Sequence, residues 1–260
     1  MCLELVRKIR LRAPLVHHIT NWVTIYDCAQ VTRSVGALPI MAHMKDEVAD
    51  MVGLSQALVL NIGTLSGDLL ESMLVAGRAA NSKKIPIVLD IVGCGATPTR
   101  SRAVEKLINC LRLSIIKGNS GEIGAAAGAE AEVKGVESIS VRGDIAEIAM
   151  RFSTAAGAVV VVTGAADIIT NGKDVHICNS GHPMMSKVVG TGCMAASLLG
   201  TFAGVTDNCF DAAVCAMNFY GIAGEKAASE ALSPMAFKAE LIDWIYRLAN
   251  SDEPVKCSKK

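Results

Sequence analysis

The sequence is poor in aromatic residues, in charge and in familiar metal or nucleotide signatures, and each shortage excludes something. Two Trp, three Tyr and five Phe make up 4% of its 260 residues. A core must therefore be assembled from Ala, Val, Ile, Leu and Met. Only 19% of the chain is charged, with 25 basic residues against 25 acidic ones. Zero net charge leaves no excess of cations for the basic face of a nucleic-acid binder or for a polybasic membrane anchor, so neither nucleic acid nor a membrane is an expected partner. No GxxxxGK[ST] sequence occurs, which excludes a Walker A loop. The nine cysteines are odd in number and none are spaced CxxC. Neither a disulfide framework nor a structural zinc site is expected from them; most read as small buried apolar residues in a reducing compartment. Glu4, Arg7, Lys8, Arg10 and Arg12 interrupt any apolar stretch of a secretory leader, so a cytoplasmic location is expected. The uncharged run 188–206 is long enough to cross a bilayer. Its glycines at 190, 192, 200 and 204 favour a loop followed by a buried helix.

What the chain does have is apolar mass, 51% of its residues, which excludes global disorder. Short continuous apolar runs, Ala57–Ile62, Ile85–Ile91, Leu113–Lys117 and Ala158–Val162, each end at a glycine-bearing turn. Helical patterns follow them, at about Ser66–Asn81, Arg100–Leu111, Glu122–Ala129 and Asp144–Ala156. This alternation predicts an α/β fold with a mainly parallel central sheet flanked by helices on both faces. Asp167–Thr170 and Asp174–Cys178 read as a hairpin, with Asn171-Gly172 suited to a type I′ turn. Three helices are expected after it, at about Cys193–Ala203, Asp207–Ala227 and Pro234–Ala249. A single domain over 1–250 and a flexible tail over 251–260 complete the reading.

Ligands of open α/β sheets bind beyond the carboxyl ends of the strands, and that is where the polar residues fall. Gly190-Thr191-Gly192-Cys193 opens a helix and can cradle an anion, or simply form a tight turn. Cys193 in the first helical turn can be an activated thiol with a depressed pKa, or a small buried residue. Asn119 and Glu122 are spaced either to serve Mg²⁺ and phosphate or to form a capping box. Asp90 ends an apolar strand and needs a cation or backbone N–H partners. Thr163, before Gly164, can bond a phosphate or close a turn. His17 and His18 are adjacent, so on a strand they point apart; a core or hydrogen-bonding role is expected of them. Asn21 can bond a small substrate and Met41 can supply an adaptable apolar wall. Together these describe a phosphotransfer site.

In these blocks the chain resembles the hydroxyethylthiazole kinase family of the ribokinase-like superfamily. The resemblance runs from His17 to about Ala249. It rests on Ile19-Thr20-Asn21-Trp22-Val23-Thr24, Gly36–Met41, Leu60–Leu65, Leu89–Thr97, Gly118–Ile123, Val162-Thr163-Gly164 and Gly190–Cys193. It implies a single-domain ribokinase-like fold and an ATP-dependent kinase of thiamine salvage, acting on the hydroxyl of 4-methyl-5-(2-hydroxyethyl)thiazole with Mg²⁺. It further implies a homotrimer with active sites between subunits. By that likeness Asn21, Val23, Met41 and Gly190 bind the thiazole alcohol. Lys117, Asn119, Thr163 and Gly192 serve ATP and its phosphates, Asp90 and Glu122 organise the metal, and Cys193 is catalytic. Three positions depart from the family's pattern: Lys117 stands where Arg is usual, Ile91 replaces the usual Pro, and Cys94 replaces a usual Ala. Lys117 keeps the charge but lacks the planar guanidinium fork.

Overall fold

A computed structural model describes residues 1–129, 131–134, 137–141 and 144–251. Four of its strands are the apolar runs: β3 (Ala57–Asn61), β4 (Ile87–Asp90), β5 (Ile115–Asn119) and β8 (Val159–Thr163). They are joined by β1 (Leu15–Ile19), β2 (Leu38–Ile40), β9 (Asp167–Thr170) and β10 (Val175–Cys178) in one sheet of order β10-β9-β8-β5-β4-β3-β1-β2. Every pairing from β2 through to β8 is parallel; β8, β9 and β10 pair antiparallel. The mainly parallel sheet is therefore as predicted. Edge strand β2 is three residues long and sets Pro39 opposite Val16.

Because side chains alternate along a strand, each central strand feeds two cores. Val16, Val59, Val88, Ile115 and Val161 face one side. They pack there on α1 (Cys2–Arg12), α8 (Thr191–Ala203), α9 (Cys209–Glu230) and α10 (Pro234–Asn250). Leu58, Leu60, Leu89, Ile116 and Val160 face the other side, against α4 (Gly67–Ser82), α5 (Pro98–Cys110) and α7 (Ile145–Ala156). Local chemistry starts these helices: Ser66 Oγ accepts from Leu69 N at 3.1 Å, and Thr97 Oγ1 accepts from Arg100 N at 3.3 Å with Pro98 following it. The run 188–206 is a loop and then the buried helix α8, as expected. Among the described residues no helix is long and apolar enough to cross a membrane.

Several features differ from expectation. The chain also forms α2 (Ile25–Ser34) and α3 (Val48–Leu54), to which the sequence reading assigns no element, and a separate antiparallel pair of β6 (Ala131–Lys134) and β7 (Glu137–Val141), where it places a turn. The β9–β10 connection is not a type I′ turn: Gly172 has φ 86° but Asn171 does not enter the left-handed region. Instead Asn171 Oδ1 accepts from Lys173 N and Asp174 N at 3.0 and 2.7 Å, so the side chain builds a longer loop. Among the described residues one cysteine pair is bonded. Cys2 and Cys215 join α1 to α9 with Cα atoms 5.0 Å apart, across 213 residues, a separation at which no local spacing could signal it. Cys28, Cys94 and Cys178 are buried, as expected of small core residues, and Cys178 Sγ lies 3.4 Å from Asn218 Oδ1. The tail 252–260, and with it Cys257, lies outside the described residues.

Candidate functional site

Three polar side chains lie side by side in one register across adjacent strands, Asn61 and Asp90 at strand ends and Lys117 within β5. Asn61 of β3 pairs with Asp90 of β4, and Asp90 with Lys117 of β5. Each lies two residues beyond an apolar residue, Val59, Val88 or Ile115, that faces the α8 core. Period-two alternation thus turns the whole row toward α8. Asp90 is fully buried and Lys117 is 4% exposed. Lys117 Nζ donates to Asp90 Oδ1 at 3.0 Å and Asn61 Nδ2 donates to Oδ2 at 2.7 Å, so both carboxylate oxygens are engaged. Burial works against the Lys117 ammonium, but Asp90, with Glu122 and Cys193 beyond it, holds its pKa above the ordinary lysine value.

Over this row sits the start of α8. Gly190 is its N-cap at φ 99°, a conformation that suits glycine. A Cβ on Gly192 would lie 2.9 Å from Lys117 Nζ, and one on Gly190 would lie 2.8 Å from Thr24 Cγ2. The glycines therefore let the helix terminus close onto the ammonium on one side and onto the head of α2 on the other. Cys193 Sγ receives two amide donors, Asn21 Nδ2 at 3.3 Å and Asn61 Nδ2 at 3.4 Å. Its pKa is raised, by burial first and then by Asp90, against the opposing pull of Lys117. Of the two readings left open for Cys193, burial decides: position at a helix terminus favours the thiolate, but burial beside a carboxylate outweighs it, so Cys193 is a thiol at neutral pH.

Asn21 is bound on every side. Its Nδ2 also donates to Asn61 Oδ1 at 3.0 Å, and its Oδ1 accepts from Val23 N, Thr24 N and Thr24 Oγ1, each at 3.1 Å. The same side chain that reaches Cys193 therefore shapes the turn into α2 and presents Trp22, Val23 and Tyr26 to the surface.

Asn119 and Glu122 form the capping box. Asn119 Oδ1 accepts from Glu122 N at 2.9 Å and Glu122 Oε2 accepts from Asn119 N at 2.8 Å, starting α6 (Ser120–Ala126). Glu122 Oε1 accepts from Gly93 N at 2.7 Å, so one buried carboxylate joins the turns after β4 and β5. Burial pushes its pKa up, with Lys117 opposing. Thr163 ends β8 opposite Asn119 and donates to Gly118 O at 3.3 Å.

Met41 stands apart from this cluster. Its carbonyl bonds His43 Nδ1 at 3.1 Å, while His43 Nε2 accepts from Thr20 N at 3.2 Å and its ring lies 4.6 Å from that of Trp22. A cavity of about 540 Å³ opens beside Trp22, His43 and Met44. His17 and His18 are both buried and point apart as expected: His17 Nε2 bonds Ala42 O at 2.8 Å and His18 Nδ1 bonds Val16 O at 3.1 Å. Burial drives the His18 pKa down to about 3. Among the described residues no three His, Cys, Asp or Glu side chains gather as metal ligands.

Sequence reasoning missed two contributors. Asn61 carried the same signal as Asp90, a polar group ending an apolar strand, but only the register reveals what it joins. Arg100 donates to the carbonyls of Ile62, Val92 and Gly63 at 2.7–2.8 Å, fastening the turns after β3 and β4 together. No sequence spacing announces that.

Comparison with known proteins adds an independent line. The family model described as "Hydroxyethylthiazole kinase family" matches residues 6–251. A hydroxyethylthiazole kinase of Methanosarcina mazei is 50% identical over 98% of this chain and 97% of its own length. One of Thermoanaerobacter pseudethanolicus is 48% identical over 94% of each. The solved hydroxyethylthiazole kinase of Pyrococcus horikoshii superposes with a TM-score of 0.85 at 37% identity, covering 95% of this chain and 92% of that one. A Bacillus subtilis pyridoxal kinase, solved as an ADP complex, shares the fold alone, with a TM-score of 0.62 at 15% identity.

Proposed function

The chain belongs to the hydroxyethylthiazole kinase family, and from that premise we propose that it transfers the γ-phosphoryl group of ATP to the hydroxyl of 4-methyl-5-(2-hydroxyethyl)thiazole in thiamine salvage. The observation that carries the mechanism is the stacking of the α8 N-terminus on the Asn61–Asp90–Lys117 row. The backbone N–H groups from Gly190 to Cys193 and the Lys117 ammonium beneath them form a preorganised positive site for the transferring group. Phosphoryl transfer makes little covalent demand on a protein, and positioning with charge neutralisation does most of the work. Lys117 stays charged beside Asp90, so it supplies that neutralisation throughout the working pH range. Gly192 gives the phosphate close approach, and Asn119 and Thr163 stand at the neighbouring strand ends where the nucleotide phosphates lie.

In this reading Asp90 and Glu122 serve magnesium. Both carboxylates already accept from protein donors at each oxygen, so they would suit an ion that keeps most of its waters and takes its remaining ligands from phosphates. An ion held there would offset the charge of the phosphates. Cys193 starts as a thiol, and a loose transition state leaves the hydroxyl proton in place until late. Its role is to hold the acceptor oxygen near the phosphate; a thiol does not take up the hydroxyl proton, which passes late to an oxygen of the transferring phosphoryl group.

The acceptor lies against Asn21, Val23, Met41 and Gly190. Because Asn21 spends its polar atoms inside the protein, the alcohol is held mainly by apolar contact. Val23 and its neighbours Trp22 and Tyr26 are largely exposed in one chain. A homotrimer that brings a second subunit over this rim closes the pocket, in keeping with the depletion of charge and enrichment of aromatics in interface cores. We place the protein in the cytoplasm. The test is release of ADP by purified protein with ATP and Mg²⁺, dependent on the thiazole alcohol and not on hydroxymethylpyrimidine. Light scattering in the same buffer gives the trimer. Nucleotide binding without alcohol-dependent turnover refutes the reading.

A further inference from the structure

Asn61 sits at the centre of the polar cluster and uses its whole hydrogen-bonding capacity there. Its Nδ2 donates to Asp90 Oδ2 at 2.7 Å and to Cys193 Sγ at 3.4 Å. Its Oδ1 accepts from Asn21 Nδ2 at 3.0 Å and from Gly63 N at 2.9 Å. It is 1% exposed and closes a strand whose other members are Ala57, Leu58, Val59 and Leu60. A saturated amide in such surroundings fixes the rotamers of Asp90, Cys193 and Asn21 and the turn at Gly63 at once. Two of them belong to different halves of the reaction: Asp90 stands with Lys117 on the phosphate side, and Cys193 faces the acceptor with Asn21. No other described side chain is hydrogen-bonded to both Asp90 and Cys193.

We propose that Asn61 is a positioning residue of the phosphoryl transfer, setting the distance between Asp90 and Cys193 and so the alignment of the acceptor hydroxyl with the phosphate. The assignment rests on the kinase reading above. It touches neither substrate; it acts through the two groups it joins. The donor atoms matter here, because an amide is the one side chain of this size that offers two N–H groups diverging from one nitrogen. Misplacement of reacting groups by about 1 Å lowers rates by about 100-fold, and a residue that acts only through alignment changes kcat rather than ground-state affinity.

A double-mutant cycle tests this in the intact protein. Asn61→Ala removes all four bonds. Asn61→Ser keeps an oxygen for Gly63 N–H and serves if the alanine variant does not fold. In either, kcat for the thiazole alcohol is expected to fall about 100-fold, with KM for the alcohol and for ATP changed less than about threefold. The same substitution in a Cys193→Ala background is expected to lower kcat far less, because one end of the link is already gone. Equal losses in both backgrounds, or a loss that appears only in KM, overturns the proposal while leaving the kinase reading intact. Absence of alcohol-dependent turnover in the unmodified protein overturns both.

Discussion

The row of Asn61, Asp90 and Lys117 and the rim of Trp22, Val23 and Tyr26 lie on either side of Asn21 and are held in opposite ways. The row is buried, drawn from three neighbouring strands, and saturated with hydrogen bonds inside one chain. The rim comes from a turn and the first residues of α2, and its side chains are 59, 68 and 72% exposed. The row's geometry follows from the sheet register and needs nothing else. The rim is apolar surface without a cover, so its final shape depends on whatever meets it. On the proposed reading, the part assigned to phosphate is held within one chain, whereas the part assigned to the acceptor leaves apolar surface that a second copy would cover.

The sharpest way to break this contrast is at Asp90. Asp90→Asn leaves the Lys117 ammonium buried without its carboxylate, a change that typically destabilises by about 3–5 kcal/mol. Alcohol-dependent turnover is expected to fall by about 1,000-fold, with the Mg²⁺ dependence of the remainder shifted and the assembled mass unaltered. Unchanged metal dependence removes Asp90 from the metal's side of the site. Next comes Cys193, which borders both regions. Cys193→Ala is expected to lower kcat by about 100-fold, as misplacing the acceptor by about 1 Å would, while Cys193→Asp keeps or raises it. If all three proteins turn over alike, Cys193 has no part in the chemistry.

The rim is probed by Val23→Asp. A carboxylate on this apolar surface is expected to raise KM for the alcohol by about tenfold and to shift light-scattering mass toward the monomer, since burying an unpaired charge costs several kcal/mol. Thermal stability of the dilute monomer should not move. An unaltered mass and KM would mean that the rim is ordinary surface. The smallest effect is expected at the far end of the sheet, where Asp167 accepts from Gly164 N at 3.0 Å. Burial pushes its pKa up from 3.8 to about 6. A carboxyl raised in the folded state contributes its stability fully below the unfolded value, and loses it as pH rises through about 6. Asp167→Asn is therefore expected to stabilise the fold by roughly 1–3 kcal/mol at pH 8 and to make no difference near pH 4. Melting temperatures across that range decide it.

How much of this was legible in the sequence differs between the same two regions. The strands of the row are unbroken apolar runs ending in a polar residue, a pattern strong enough to give both the parallel sheet and the positions of Asp90 and Lys117. The N-terminal third was harder. β2 is short and holds a proline, and α2 begins where the Asn21 side chain captures Val23 and Thr24, a tertiary event with little local signature. Asn61 escaped a role because an amide ending a strand is unremarkable until its neighbour in the sheet is known. The state of Cys193 stayed open between an activated and a buried thiol for a related reason: its place in the helix was readable, but the carboxylate below it was not.

The short strand β2, with Pro39 in its middle, limits how copies of this protein can join. Proline offers no N–H to an incoming backbone, and three residues give it almost nothing to pair with. The sheet therefore cannot be extended from that edge by a stray segment of another chain. Whatever meets that edge has to be recognised through side chains and not by backbone pairing, which guards the exposed end of a strongly apolar sheet against indiscriminate stacking of strands.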